Sequence, residues 1–197
     1  MDTSQRTPLF ECGRLRAISL AQDDAPLLQK FFEDNAGYFF ICNGRAPLAD
    51  EALREMLDEP PKELSYANKW VLGFIDQSGD LVAMAIVLSD FIAPRVWLIS
   101  LFIVATTLHG TGRAQLIYRD LEHWIQQNGA EWIRLGVVKG NMKAARFWGK
   151  MSYVQVRERH DVPSGIQVNT LRVMVKGLCG GLISDYLSKV SRDRPEM

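Results

Sequence analysis

VWLISLFIVATTLHGTGRAQLIYRDLEHWIQQNGAEWIRLGVV, residues 96–138, is the stretch on which the fold turns. Its first part belongs to PRVWLISLFIVA (94–105), where apolar residues occupy both faces, the pattern of a strand in the middle of a sheet. Ala114, Ile117, Leu121, Trp124 and Ile125 then form a helical stripe, with Arg119, Asp120, Glu122 and Gln126 turned away from it. Asn128-Gly129 stops that helix, and WIRLGVV (132–138) reads as another strand. Strand, helix and strand in this order form a βαβ unit, so the two strands are expected to be parallel.

On the N-terminal side, GRLRAISL (13–20) alternates as a first strand. A helix follows with Leu27, Leu28, Phe31 and Phe32 at helical spacing, ended by Asn35-Ala36-Gly37. LADEALREMLDEPP (48–61) is a second helix stopped by its prolines, and 70–76 with 81–90 make a hairpin across a QSGD turn. On the C-terminal side, NMKAARFWGKM (141–151) predicts a helix capped by Asn141. YVQVRERHDV and VNTLRVMVKGL then predict a terminal hairpin around PSG. The expectation is one α/β domain with a mixed sheet over residues 1–178, and a short helix with a polar tail over 179–197.

The 23 basic and 23 acidic residues cancel, which argues against nucleic acid or an anionic membrane as the main partner. Cys12, Cys42 and Cys179 are odd in number and lack metal-type spacing, so neither a disulfide framework nor a metal site is expected. The opening residues MDTSQRTPLF lack an apolar leader, no run is long enough to span a bilayer, and the cytoplasm is the expected location.

The corner His109-Gly110-Thr111-Gly112-Arg113-Ala114 opens a helix, whose unpaired amides favour anions, and its glycines let a phosphate approach the backbone. A tight turn alone would explain the glycines equally well. The corner lacks the Gly-Lys-Ser/Thr ending of a P-loop. It also lacks the third glycine of a dinucleotide fingerprint, since Gln115 stands there, although Glu131 lies where that fingerprint wants an acid. A nucleotide-binding oxidoreductase is therefore one rival reading, checked by NAD or FAD titration.

With strand and helix on either side, residues 97–153 resemble the core of the GNAT superfamily of acyl-CoA-dependent N-acetyltransferases. The family's Gln/Arg-x-x-Gly-x-Gly/Ala loop is similar to residues 109–114, with His109 in place of Gln or Arg. Val104 stands where the family often has a valine. Asn141, Ala144, Phe147, Trp148, Lys150 and Tyr153 resemble its Asn-x-x-Ala-x-x-aromatic-aromatic helix and the strand start after it. The resemblance implies two parallel strands, 97–105 and 132–138, that splay apart and take the pantetheine arm of acetyl-CoA along Ile103, Val104 and Ala105. It places the pyrophosphate on the amides of Gly110, Thr111, Gly112, Arg113 and Ala114, beside His109, Asn141, Ala144, Phe147 and Trp148. Unlike an arginine, an unperturbed histidine at 109 is mostly neutral at pH 7, so either the backbone cradle suffices or Arg113 supplies the charge. Acetyl-CoA is expected to bind more weakly as pH rises through about 6 to 8.

For acetyl transfer to an amine, the resemblance makes the Val104 backbone amide the donor that polarises the thioester carbonyl. The family's frequent tyrosine acid is replaced by Trp148, and Tyr153 nearby is better explained as core. Asp90, Glu158 and His160, with Asp161 beside it, are the candidate bases. Phe31, Tyr38, Phe39 and Phe40 are candidates for the acceptor site, and Arg45 and Lys69 for contacts to an acidic group. The acceptor is expected to be a primary amine on a small molecule or a peptide. The rival from another class is a CoA-binding regulatory module without catalysis. A homodimer through the terminal strands or residues 182–190 is compatible with the sequence.

Overall fold

The structure, a computed structural model, describes residues 6–195. Residues 1–5, on which part of the leader reading rests, and residues 196–197 of the expected tail lie outside the described residues. The strands are β1 (Phe10–Cys12), β2 (Leu15–Ser19), β3 (Lys69–Ile75), β4 (Leu81–Leu88), β5 (Val96–Val104), β6 (Trp132–Val138), β7 (Val154–Ser164) and β8 (Gln167–Gly177). The helices are α1 (Ala25–Asp34), α2 (Gly37–Asn43), α3 (Glu51–Leu57), α4 (Arg113–Gln127), α5 (Met142–Lys150) and α6 (Ile183–Lys189). The strands form one sheet in the order β1-β2-β3-β4-β5-β6-β8-β7. Among the described residues only β5 and β6 run parallel, as the βαβ reading requires; the other neighbours are antiparallel.

Each central strand divides its side chains between two cores. Trp97, Ile99 and Val104 of β5 pack with Ile117, Tyr118 and Leu121 of α4 and Trp148 of α5. Leu101 and Ile103 face the other way, onto Leu28, Phe31 and Phe32 of α1 and Phe39 of α2. Phe32 and Phe39 are fully buried there, each contributing about 2 kcal/mol of apolar burial. The first predicted helix ends at the Asn35-Ala36-Gly37 stop that the sequence predicts, with Asp34 as its last residue and Asn35 as its C-cap. Asn35 bonds its own turn, Nδ2 to Phe31 O at 2.8 Å, and the chain restarts as α2 at Gly37.

The C-terminal segment is more than a polar tail. Tyr186, Val190 and Asp193 are buried, the first two against Val96, Trp132 and Val175 of the sheet. Arg134, in the middle of β6, grips Asp193 through Nε–Oδ2 at 2.7 Å and Nη2–Oδ1 at 3.2 Å, and Tyr186 Oη donates to the same carboxylate at 2.6 Å. No helix among the described residues is long and apolar enough to cross a membrane.

The feature that positions the site is a bulge. Ile99 faces Val87 of β4 and Leu101 faces Ile86, so Ser100 is an extra residue between them. A bulge bends its strand and sharpens the local twist. The β5–β6 ladder stops at the same place: its last pair is Ile99 with Leu135, and residues 100–104 have no partners in β6. Beyond Ile99 the two parallel strands diverge, β5 staying with β4 and β6 with β8.

Candidate active site

Splaying two strands exposes main-chain groups that the sheet would otherwise satisfy. Ala105 N–H donates to Val82 O at 2.9 Å, toward β4. Alternation along an extended strand therefore turns the N–H and C=O of Val104 into the gap. His109 reaches back from the glycine corner and covers that carbonyl, with Nε2 at 2.9 Å from Val104 O. Its other nitrogen, Nδ1, lies 2.6 Å from Lys143 Nζ on α5. A carbonyl only accepts and an ammonium only donates, so the ring must carry its hydrogen on Nε2 and keep a lone pair on Nδ1. In this arrangement the ring is the Nε2–H tautomer, and the cation beside it at the mouth is Lys143.

The gap opens into a cleft of about 360 Å³. Phe102, Ile103 and Val104 supply its β5 wall, His109, Gly110 and Ala114 the corner, and Asn141, Lys143, Ala144, Phe147 and Trp148 the α5 wall. The opposite wall comes from Asn35, Gly37, Tyr38, Ile41 and Thr106. Most residues expected at the cofactor thus meet around one cavity. Asn141 also caps α5, its Oδ1 accepting from Ala144 N at 3.0 Å. Ala105 does not line the cleft, because its amide is engaged with β4.

Gly110 (φ 80°) and Gly112 (φ 82°) occupy left-handed conformations, and the space where a Cβ would project is open at both. Turn geometry and an open approach therefore both call for glycine. Thr111 Oγ1 accepts weakly from Arg113 N at 3.3 Å, while the amides of Gly110, Gly112 and Ala114 make no such turn or side-chain bond among the described residues. Arg113 lines a separate depression with Arg14, Asp76 and Asp120 rather than the cleft.

The expected bases lie elsewhere. Asp90 is at the other end of β5, where its Oδ1 accepts from Arg95 N at 2.6 Å in a turn. Glu158 on β7 is paired with Lys139 at 2.9 Å, which holds its carboxyl below the usual range, and His160 Nδ1 meets Thr170 Oγ1 at 3.2 Å. None of the three lines the cleft. Of the acceptor candidates, Tyr38 lines it, whereas Phe31 and Phe39 are core and Phe40 faces solvent. Arg45 is committed to Glu51 at 2.6 Å and Lys69 to the Glu55 and Asp58 carbonyls. Tyr153 is buried, its hydroxyl 2.9 Å from that of Tyr118 behind Trp148.

Burial pushes the Tyr38 hydroxyl well above the usual phenol range, so it keeps its proton at the cleft wall. Nearby on α3, burial and the charges of Glu51 and Asp58 push the Glu55 carboxyl up to about 7. Sequence reading missed Asn35, Gly37, Ile41, Phe102, Thr106 and Lys143. Only Lys143 left a signal: a lysine in the first turn of a helix opposes the helix dipole unless an anion is near.

A model of the acetyltransferase (GNAT) family matches residues 28–153. The chain belongs to the GNAT family. Solved GNAT structures share its fold. An acetyltransferase from Thermus thermophilus superposes with a TM-score of 0.66 at 19% identity, covering 86% of this chain and all of that one (100%). A spermidine N-acetyltransferase from Vibrio cholerae, in complex with CoA and spermine, gives 0.61 at 17%, covering 83% and 95%. The ribosomal-protein-S18-alanine N-acetyltransferase from Escherichia coli gives 0.60 at 12%, covering 85% and 96%. No curated protein gives a significant sequence match. Within the GNAT pattern, His109 in place of Gln or Arg has a local explanation: it caps Val104 O, and Lys143 carries the charge.

Proposed function

We propose that this GNAT protein transfers an acetyl group from acetyl-CoA to a primary amine, directly, within a ternary complex. The observation that carries this is the divergence of β5 from β6 beyond Ile99, which opens a cleft onto the backbone of Val104. The CoA complex of the Vibrio cholerae spermidine acetyltransferase supports the choice of donor. Acetyl-CoA supplies an activated acyl group as a thioester. The residues around the cleft fit such a molecule. The pantetheine arm matches the apolar walls of Phe102, Phe147 and Trp148 and the small Ala144, and the amides of residues 110–114 with Lys143 suit its phosphates.

Val104 N–H faces the gap and is positioned to hydrogen-bond an acyl oxygen as charge develops on it. The acceptor nitrogen forms its bond to the acyl carbon as the carbon–sulfur bond breaks, and the amine loses a proton to solvent. A thiolate whose acid has a pKa of about 8.5 leaves without an obligatory protein acid, consistent with Trp148 at the family's tyrosine position. Tyr38 lines the opposite wall, with its protonated hydroxyl buried beside Cys42.

The test is free-thiol release from acetyl-CoA over a panel of amines and peptides, beside CoA binding by calorimetry. Acceptor-dependent thiol release supports transfer. A second reading, a CoA-binding module without turnover, is favoured by the lack of any Asp or Glu among the described residues of the cleft and by Trp148. Tight CoA binding with no thiol release on any acceptor establishes it instead.

A further inference from the structure

The cleft passes through the sheet. Val104, Ala144 and Trp148 pack with the core on the α4–α5 side, whereas Ile103 and Tyr38 pack with the α1 core, yet all five line the same cavity. The glycine corner and Lys143 stand at the α4–α5 end. A donor seated there leaves the α1 end to the acceptor.

That end is lined by Asn35, Gly37, Tyr38, Ile41, Ile103 and Thr106, none of which is ionised near neutral pH; burial keeps the Tyr38 hydroxyl protonated. Asn35 has both side-chain groups engaged, Oδ1 accepting from Thr106 N at 2.7 Å and Nδ2 donating to Phe31 O at 2.8 Å. Glu55, whose charge Tyr38 feels, lines a separate depression on α3. What this wall offers is apolar surface: the Tyr38 ring, Ile41 and Ile103. Two apolar side chains of α2 are left open to solvent here, Ile41 at 46% and Phe40 at 56%. Phe40 is one helical turn from Gly37, which lines the cleft, so both belong to its rim. Large apolar groups left open beside a cavity mark a binding surface. The segment that bears them is fixed in advance. The β7–β8 tip holds the end of α2 through Asn169 Nδ2 to Cys42 O at 2.8 Å, Ile166 N to Asn43 O at 2.9 Å and Ser164 Oγ to Asn43 Oδ1 at 2.8 Å. A wall ordered beforehand loses little freedom on binding.

We infer that the acceptor carries its primary amine on an uncharged apolar body, aliphatic or aromatic, which packs on Tyr38, Ile41 and Ile103. This rests on the transferase reading and narrows it to a substrate class. An apolar body is stabilised there by leaving water, whereas a second charge on the acceptor is desolvated without a partner. Diamines and amino carboxylates are accordingly poor acceptors.

The test is calorimetric titration of the full chain, saturated with CoA, with three amines of matched length: hexylamine, 1,6-diaminohexane and 6-aminohexanoate. They differ at the far end, which is methyl, ammonium or carboxylate. The expected result is binding of hexylamine about tenfold or more tighter than either charged member. In Ile41→Glu the preference over the diamine should fall below about threefold, because the new carboxylate faces the far ammonium. Equal binding of the three, tighter binding of a charged member, or no binding of any overturns the inference. Hexanoyl-CoA that binds about tenfold tighter than acetyl-CoA while the three amines bind equally gives the wall to the donor's acyl chain instead. The wild-type comparison stands even if Ile41→Glu fails to fold. CoA binding and thiol release over the broader amine panel are read separately. Their failure removes the transferase reading itself, whereas thiol release indifferent to the far end of the amine removes only this inference.

Discussion

His109 and Lys143 meet at the mouth of the cleft, Nδ1 to Nζ at 2.6 Å, while the far side of the same ring holds Val104 O at 2.9 Å. One imidazole therefore links the glycine corner, the free end of β5 and the start of α5, and the link requires the neutral ring. The cation beside the glycine corner is the Lys143 ammonium.

CoA affinity that is flat between pH 6 and 8, to within about twofold, assigns the charge offered to the phosphate to Lys143 rather than to His109. Lys143→Ala should weaken CoA about tenfold, or about 1.4 kcal/mol, and flatten its salt dependence. Titration calorimetry at several pH values and salt concentrations checks both. A tenfold loss of affinity from pH 6 to 8 returns the charge to His109.

Ala144 lines the cleft opposite β5 without belonging to the fully buried core. Ala144→Phe should fill the cleft and weaken CoA by about a hundredfold, about 2.7 kcal/mol, while leaving the thermal midpoint nearly unchanged. Unaltered CoA binding in a folded variant moves the site elsewhere.

At Gly112 a substitution meets no neighbour but must adopt φ 82°. Gly112→Ala is expected to cost about 1 kcal/mol of stability and to weaken CoA through the misplaced amides, both read on the same purified variant. Full stability with full affinity contradicts the assigned strain.

Glu55 supplies a pH signature of stability. Its folded carboxyl is raised to about 7, so between its unfolded value and 7 the folded state holds the extra proton. Stability from this group is therefore greatest at the acid end of that window and is lost as pH rises through 7. Glu55→Gln should flatten that decline, with a gain near pH 8 of about 2 kcal/mol after allowance for partial exposure. Denaturant unfolding at pH 5 and 8 measures it; parallel pH profiles for both proteins exclude Glu55 as the source.

Much of this was legible because it follows from local periodicity. The βαβ unit, the Asn141 cap and the Ala144–Phe147–Trp148 helical stripe came from residue spacing, and the place of that stripe beside the cofactor from the family resemblance; the cleft joins them. What failed needed phase or distance. The stop at Asn35 was read, but the restart at Gly37 as α2 was not, and it resets the helical phase so that Phe39 enters the core while Tyr38 turns to the cleft. Asp90 ends one strand before the cleft-forming strand begins, and that strand carries the chain away from it. Two polar residues held unread information. Ser100, alone in an apolar strand, marks the bulge, and Arg134, inside WIRLGVV, requires the buried carboxylate that Asp193 provides. The tail was read as polar because the partner of Arg134 lies 59 residues away in the chain.

The central claim is that the strands parted beyond Ile99 and Leu135 receive CoA along the main chain of β5. Hydrogen exchange of the full chain, with and without CoA, measures this directly. Slowed exchange confined to residues 102–104 and the corner amides 110–114, with the β3–β4 ladder unchanged, is the predicted result. CoA that binds yet leaves those amides exchanging at their free rates contradicts the account.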